Sequence, residues 1–164
     1  LISAVHAAAH RVVGWNEPRG LLEITGMARV LIVHFASTWM LVGLIWVIQI
    51  VAYPQFLRVS EAAFANYHFA HCLRIGLMAT PLLAVEAVTA AGLLYQGHRE
   101  LPFLISVGLI PAIWLSTAVL QAPMHTKLMK GADAGIVRRL IRTNWLRTLA
   151  WTTRGLLIGC VVAA

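Results

Sequence analysis

Hydrophobic residues gather in four long blocks with polar stretches between them. Val30 to Tyr53 runs for 24 residues without an Asp, Glu, Lys or Arg, and Pro54 follows it. Ile75 to Gly97 runs for 23, interrupted only by Glu86. Leu101 to Ala122 runs for 22 and meets Pro123. Asn144 to Ala164 runs for 21 and carries Arg147 and Arg154. A hydrocarbon core about 30 Å thick takes about 20 apolar residues of helix, so each block is long enough to cross one. The expected fold is all-α: a four-transmembrane-helix bundle over residues 29–164, with spans near 30–53, 75–97, 101–122 and 144–164. Pro81 and Pro111 sit inside the second and third blocks, where kinks are expected and neighbouring helices can satisfy the freed carbonyls.

Residues 1–28 form an extramembrane segment. Within it "SAVHAAAHRVVG" predicts a short amphipathic interfacial helix, capped by Ser3 and stopped by Gly14. His6 and His10 stand at i and i+4, a spacing that can chelate a metal and is equally that of two solvated histidines on a surface helix. The "WNEPRG" interruption leaves this segment without the apolar core of a signal peptide.

Composition agrees with a membrane domain. The 164 residues are 60% hydrophobic and 12% charged, with a mean hydropathy of +0.78; soluble domains are about 25% charged. The isoelectric point near 10.5 does not point to nucleic acid, because the basic residues flank apolar blocks, where topology and anionic lipid account for them. Arg58, Arg74, Lys127, Lys130, Arg138, Arg139 and Arg142 fall on one side of the expected bundle. Arg11, Arg19, Arg29 and Arg99 fall on the other. The richer side is expected to be cytoplasmic in a bacterial inner membrane. The 54–74 and 123–143 segments then lie inside, against anionic headgroups or a partner, and both termini lie outside. Cys72 and Cys160 are too far apart in the chain for a disulfide framework or a zinc-finger spacing.

Two polar groupings stand out against this background. The second block centres on residue 86 and the fourth on residue 154, so Glu86 and Arg154 share a depth near the midplane. An unpaired charge there costs several kcal/mol; the two are expected to pair, or to share a network with Thr80, Thr89, Ser116 or Thr117. A buried clamp between helices and a relay or ligand-binding carboxylate are the competing roles. The second grouping is a layer at the cytoplasmic end. Helical rise places His71 and His125 about 20–22 Å from the midplane, Tyr53, Gln121 and Asn144 about 15–16 Å, and Gln49 about 10 Å. His68 lies one turn beyond His71. Neutral imidazoles suit transition metals, and two histidines on neighbouring helices can be axial ligands of a b-type haem. The candidate cofactor-binding residues are therefore His68, His71, His125, Tyr53, Gln121 and Asn144, with the three histidines as metal ligands. The alternative is a polar collar of the kind found wherever helices leave lipid. His34 stands alone toward the other side, and the helix contacts should be lined by small residues such as Gly26, Gly43, Gly76, Gly92, Gly108 and Gly159.

At "QIVAYPQF", "FANYHFAHCLRIG" and "RTNWLRTLAWTTRGLL" the chain resembles a largely uncharacterised group of small bacterial four-helix integral membrane proteins. More remotely, in length and architecture, it is similar to anthrone oxygenase-like membrane proteins. The latter likeness implies oxygen-dependent oxidation of a polycyclic substrate near Tyr53, His68 and His71. Two functions stay open: a membrane redox or oxygenase-like protein using the polar layer, and a non-catalytic accessory subunit of a larger respiratory or photosynthetic complex. A transporter is disfavoured by the lack of an inverted repeat. A homo-oligomer or other membrane subunits are possible partners, and Trp39, Trp46 and Tyr53, at intervals of seven, offer a stripe that fits either a partner or the core.

Overall fold

A computed structural model describes residues 18–164, with side chains described from residue 26 onward. The predicted helix bearing His6 and His10 lies outside these residues. Among the described residues the chain is helical throughout, with no strand. Helix α1 (Pro18–Val47) runs through a π-helical turn (Ile48–Ala52) into a short α2 (Tyr53–Gln55) and a 3₁₀ turn (Phe56–Arg58). Helix α3 spans Glu61–Tyr95 and α4 spans Leu101–Ser116. A second π-helical turn (Thr117–Gln121) carries α4 into α5 (Ala122–Leu128), and α6 spans Ala134–Ala163. The chain thus makes four long rods. Three of them, Gly26–Arg58, Glu61–Tyr95 and Leu101–Leu128, are long and apolar enough to cross a membrane.

The rods are longer than the apolar blocks. Pro54 and Pro123 do not end their helices. Proline has no N–H to donate, and its ring crowds the carbonyl four residues earlier. Just before each proline the helix widens by one residue, so that the Tyr53 N–H reaches the Ile48 carbonyl and the Ala122 N–H reaches the Thr117 carbonyl. Pro81 and Pro111 are likewise carried inside continuous helices. The expected 54–74 and 123–143 segments shrink to short turns, because α3 already begins at Glu61 and α6 at Ala134. The Asp133 carboxylate caps α6 by accepting from the Ile136 N–H at 2.9 Å. At the other end of the bundle α3 closes on Gly97, whose φ of +95° suits a residue without a Cβ, with the His98 N–H on the Leu93 carbonyl.

Helix α1 packs on both α3 and α6, and α6 packs on α4. Helices α3 and α4 hardly touch one another, so the ring of rods is open on one side. One apolar core, around Phe56, Phe64, Leu128, Leu140 and Trp151, fills the end near the 59–60 turn; a smaller one, of Leu93, Phe103 and Ile158, fills the opposite end. The outside is also apolar: Leu77, Val88, Leu115 and Leu146 are more than half exposed, as suits helices bathed in lipid.

The glycines expected at helix contacts behave otherwise. A Cβ at Gly26, Gly43, Gly76, Gly108 or Gly159 would meet nothing, and at Gly92 only Val30 at 3.9 Å. Gly155 is the close contact: a Cβ there would lie 3.1 Å from Val42 and 3.3 Å from Trp39. The Trp39–Trp46–Tyr53 stripe turns inward to α6 at the same seam. Trp46 donates to the Thr152 hydroxyl at 3.0 Å and meets Trp145 edge-on at 5.6 Å.

Candidate metal centre

The polar residues of the layer do not form one site. Three of them converge with a fourth that sequence reasoning passed over. On α3, His68 and Cys72 stand at i and i+4 and share a face; on α5, His125 projects between them. The His68 Nε2 and His125 Nδ1 atoms are 3.0 Å apart, and Cys72 Sγ lies 3.7 Å from the first and 3.6 Å from the second. The three donor atoms form one compact group with His68 buried and the other two partly so. The two imidazoles meet edge to edge and nearly coplanar, at 24° with centroids 5.2 Å apart, and the Phe64 ring lies nearly parallel to His68 at 5.7 Å. Phe56 closes the edge.

This spacing can be set against metal geometry. Zinc–nitrogen bonds of about 2.05 Å and zinc–sulfur bonds of about 2.3 Å, at tetrahedral angles, separate two nitrogens by about 3.3 Å and nitrogen from sulfur by about 3.6 Å. The observed triangle matches the nitrogen–sulfur legs and needs a few tenths of an ångström on the other. Tyr53 supplies an outer partner: its hydroxyl lies 3.0 Å from His125 Nε2, the ring nitrogen left free if Nδ1 holds a metal, as bound histidines require. Haem does not fit. Two nitrogens in direct hydrogen-bond contact leave no space for a porphyrin between them.

His71, expected as a ligand, stands apart. It is three residues from His68 and falls on the other flank of that face, against Phe56 at 4.9 Å and Tyr53 at 6.1 Å; Cys72 takes the place beside His125 instead. Gln121 accepts from Ser116 at 3.4 Å, and its buried Nε2 has no partner among the described residues. Asn144 belongs to a separate network. It donates to Gln49 Oε1 at 2.8 Å and accepts from Arg147 at 3.1 Å, while Gln49 donates to the Ile141 carbonyl. Tyr53, His71, Cys72, Gln121, His125 and Arg147 border a cleft of about 460 Å³. A second, apolar cleft of about 310 Å³ shares Ile48, Ile75, Thr117 and Arg147 with it. It has α1 and α6 as its floor, with α3 and α4 as its walls.

Nearer the middle of the bundle Arg154 pairs with Glu86, both fully buried. Thr38 donates to the same carboxylate oxygen at 3.2 Å, and the Arg154 Nε donates to the Ser106 carbonyl at 2.8 Å. Thr80, Ser116 and Thr117 take no part. Thr89 reaches only the Glu86 backbone carbonyl, at 3.1 Å, and lies 2.9 Å from Nδ1 of a buried His34. Trp151 lies against the guanidinium at 4.9 Å. Neither Thr38 nor the Ser106 carbonyl was foreseen, since one is a small hydroxyl in an apolar block and the other is backbone. Cys72 did leave a signal: it repeats the i, i+4 spacing after His68.

No protein-family model, no curated protein and no solved structure matches this chain.

Proposed function

We propose that this is a membrane-embedded redox protein whose centre is a soft transition metal held by His68, Cys72 and His125. The observation that carries the reading is the His₂Cys triangle at ligand spacing, with Tyr53 behind His125 and a cleft beside it. Two imidazoles and a thiolate suit copper or zinc. Copper is the member of that pair that supplies one-electron chemistry, and it is the metal on which we base the redox reading. The protein's own contribution is to orient His125 through Tyr53, to wall the donors with Phe56 and Phe64, and to leave one side facing the cleft. Oxygenase-like oxidation of a lipid-soluble ring, as the resemblance implies, belongs to the same class.

In this reading all four rods cross a bacterial cytoplasmic membrane. Helix α6 carries five arginines, but Arg154 is neutralised by Glu86, and Arg138, Arg139 and Arg142 lie in its first turns, near the headgroups. The centre then lies toward the cytoplasmic face. A second reading, a non-catalytic subunit, draws on one observation: Tyr53, His125 and His68 are already linked to one another by hydrogen bonds, as a purely structural staple would be.

Metal analysis separates the two. Protein purified gently in detergent is expected to carry about one copper per chain and to lose it in His68→Ala, His125→Ala and Cys72→Ser with helicity retained. If metal-free protein takes up copper and zinc no more tightly than the triple variant does, the centre is a staple.

A further inference from the structure

The apolar cleft between α3 and α4 ends on a cation with no acid to face it. Arg147 donates to Asn144 at 3.1 Å and stands within reach of the Tyr53 hydroxyl; its Nε is buried and has no partner among the described residues, nor does any described carboxylate pair with it. A guanidinium stays charged at any relevant pH, so its position among apolar walls is costly unless something anionic joins it. A second donor is in the same condition. The Gln121 side chain is 1% exposed with an unpartnered Nε2, and it borders the 460 Å³ cleft together with Arg147. Two donors in want of an acceptor call for a ligand that accepts only, and the planar fork of arginine selects a carboxylate. The rest of the cleft is hydrocarbon. Leu44, Ile45, Leu83 and Trp114 line the 310 Å³ portion, and the gap between α3 and α4 gives it a lateral opening for a molecule dissolved in lipid.

We propose that the cleft binds a long-chain carboxylic acid, its carboxylate on Arg147 and Gln121 and its chain lying between α3 and α4. The carboxylate end comes to rest at the cleft that Cys72 and His125 border. That placement is of binding alone and does not depend on whether the centre holds metal.

Trp114 and Trp151 line the apolar cleft and serve as reporters. Metal-free protein in nanodiscs of zwitterionic lipid is titrated with dibromostearic acid and, separately, with its methyl ester. The acid should quench tryptophan fluorescence saturably, and the ester at least tenfold more weakly. Arg147→Gln should weaken the acid tenfold or more. Ala79→Phe, which narrows the cleft without touching the guanidinium, should weaken it as well, so the inference stays testable if the arginine variant misfolds. Leu77→Ala, on the exposed side of α3 and outside the cleft, should bind the acid as the parent does. Equal quenching by acid and ester, or an unaffected Arg147→Gln, overturns the proposal. Displacement by phosphatidic acid as effective as that by oleate would also overturn it, in favour of a bound phospholipid.

Discussion

The bundle carries two buried polar centres, built to opposite plans. Around Glu86 and Arg154 every group is charged or aimed at a charge. The carboxylate takes Arg154 and Thr38, the guanidinium takes the Ser106 carbonyl, and both side chains are 0% exposed. Around His68 and His125 the groups are neutral, soft and metal-philic. They share their hydrogen bonds among themselves and border an open cleft. The first centre pairs its charges and borders no cleft, although Glu86 Oε2 and Arg154 Nη2 have no hydrogen-bond partner among the described residues; the second borders a cleft. In a membrane a charge must be answered within the protein, whereas imidazole, thiol and phenol can stand ready for a ligand at far lower cost.

The contrast breaks most visibly at the closed centre. Arg154→Ala leaves Glu86 ionised or forced to protonate in a dry interior, and removal of one partner of a buried pair costs about 3–5 kcal/mol. Thermal unfolding in detergent should drop steeply. The double variant Glu86→Leu with Arg154→Met should recover most of that loss, as replaced buried pairs often do. A double variant as unstable as the single one would mean that the pair does more than clamp. Next in size is the seam that brings α6 up to α1. Gly155→Val pushes a branched side chain into Val42 and Trp39 and should cost about 1–3 kcal/mol, read by the same melts. The effect should be smallest at the open centre. Tyr53→Phe removes only the bond to His125; copper affinity should fall about tenfold, while stability changes by no more than about 1 kcal/mol. A large stability loss there with no change in copper affinity would make the two centres alike in kind.

The closed centre was legible in the sequence because charge inside an apolar block is rare and depth can be counted along a helix. By that count residues 86 and 154 are level. The open centre was legible only in its membership. Counting depth put His68, His71, His125, Tyr53, Gln121, Asn144 and Gln49 in one layer, but depth says nothing of angle, and angle is what separates His68 with His125 from Asn144 with Gln49. Cys72 was overlooked because a thiol reads as one more apolar residue in a hydrophobic stretch. The helix ends were misjudged for a related reason. Proline after an apolar run looks like a stop, and nothing local at Pro54 or Pro123 announces a widened turn that lets the helix go on. The cleft could not be read at all, since it arises from α3 and α4 each packing elsewhere.

The two widened turns have a consequence for how this protein tolerates change. Each holds one residue more than a regular turn would, directly ahead of Tyr53 in the first rod and four residues ahead of His125 in the third. Removing a single residue from either, Val51 or Val119 for instance, would return the helix to its ordinary winding and leave everything downstream on nearly the same face. Tyr53 and His125 would keep their places, and the strain would fall on Pro54 or Pro123, whose ring crowds the carbonyl four residues earlier in a regular turn. The widened turns are therefore the slack in each rod: a residue lost there should be absorbed, whereas a residue lost from the regular helix between His68 and Cys72 would turn one donor away from the other by about 100°.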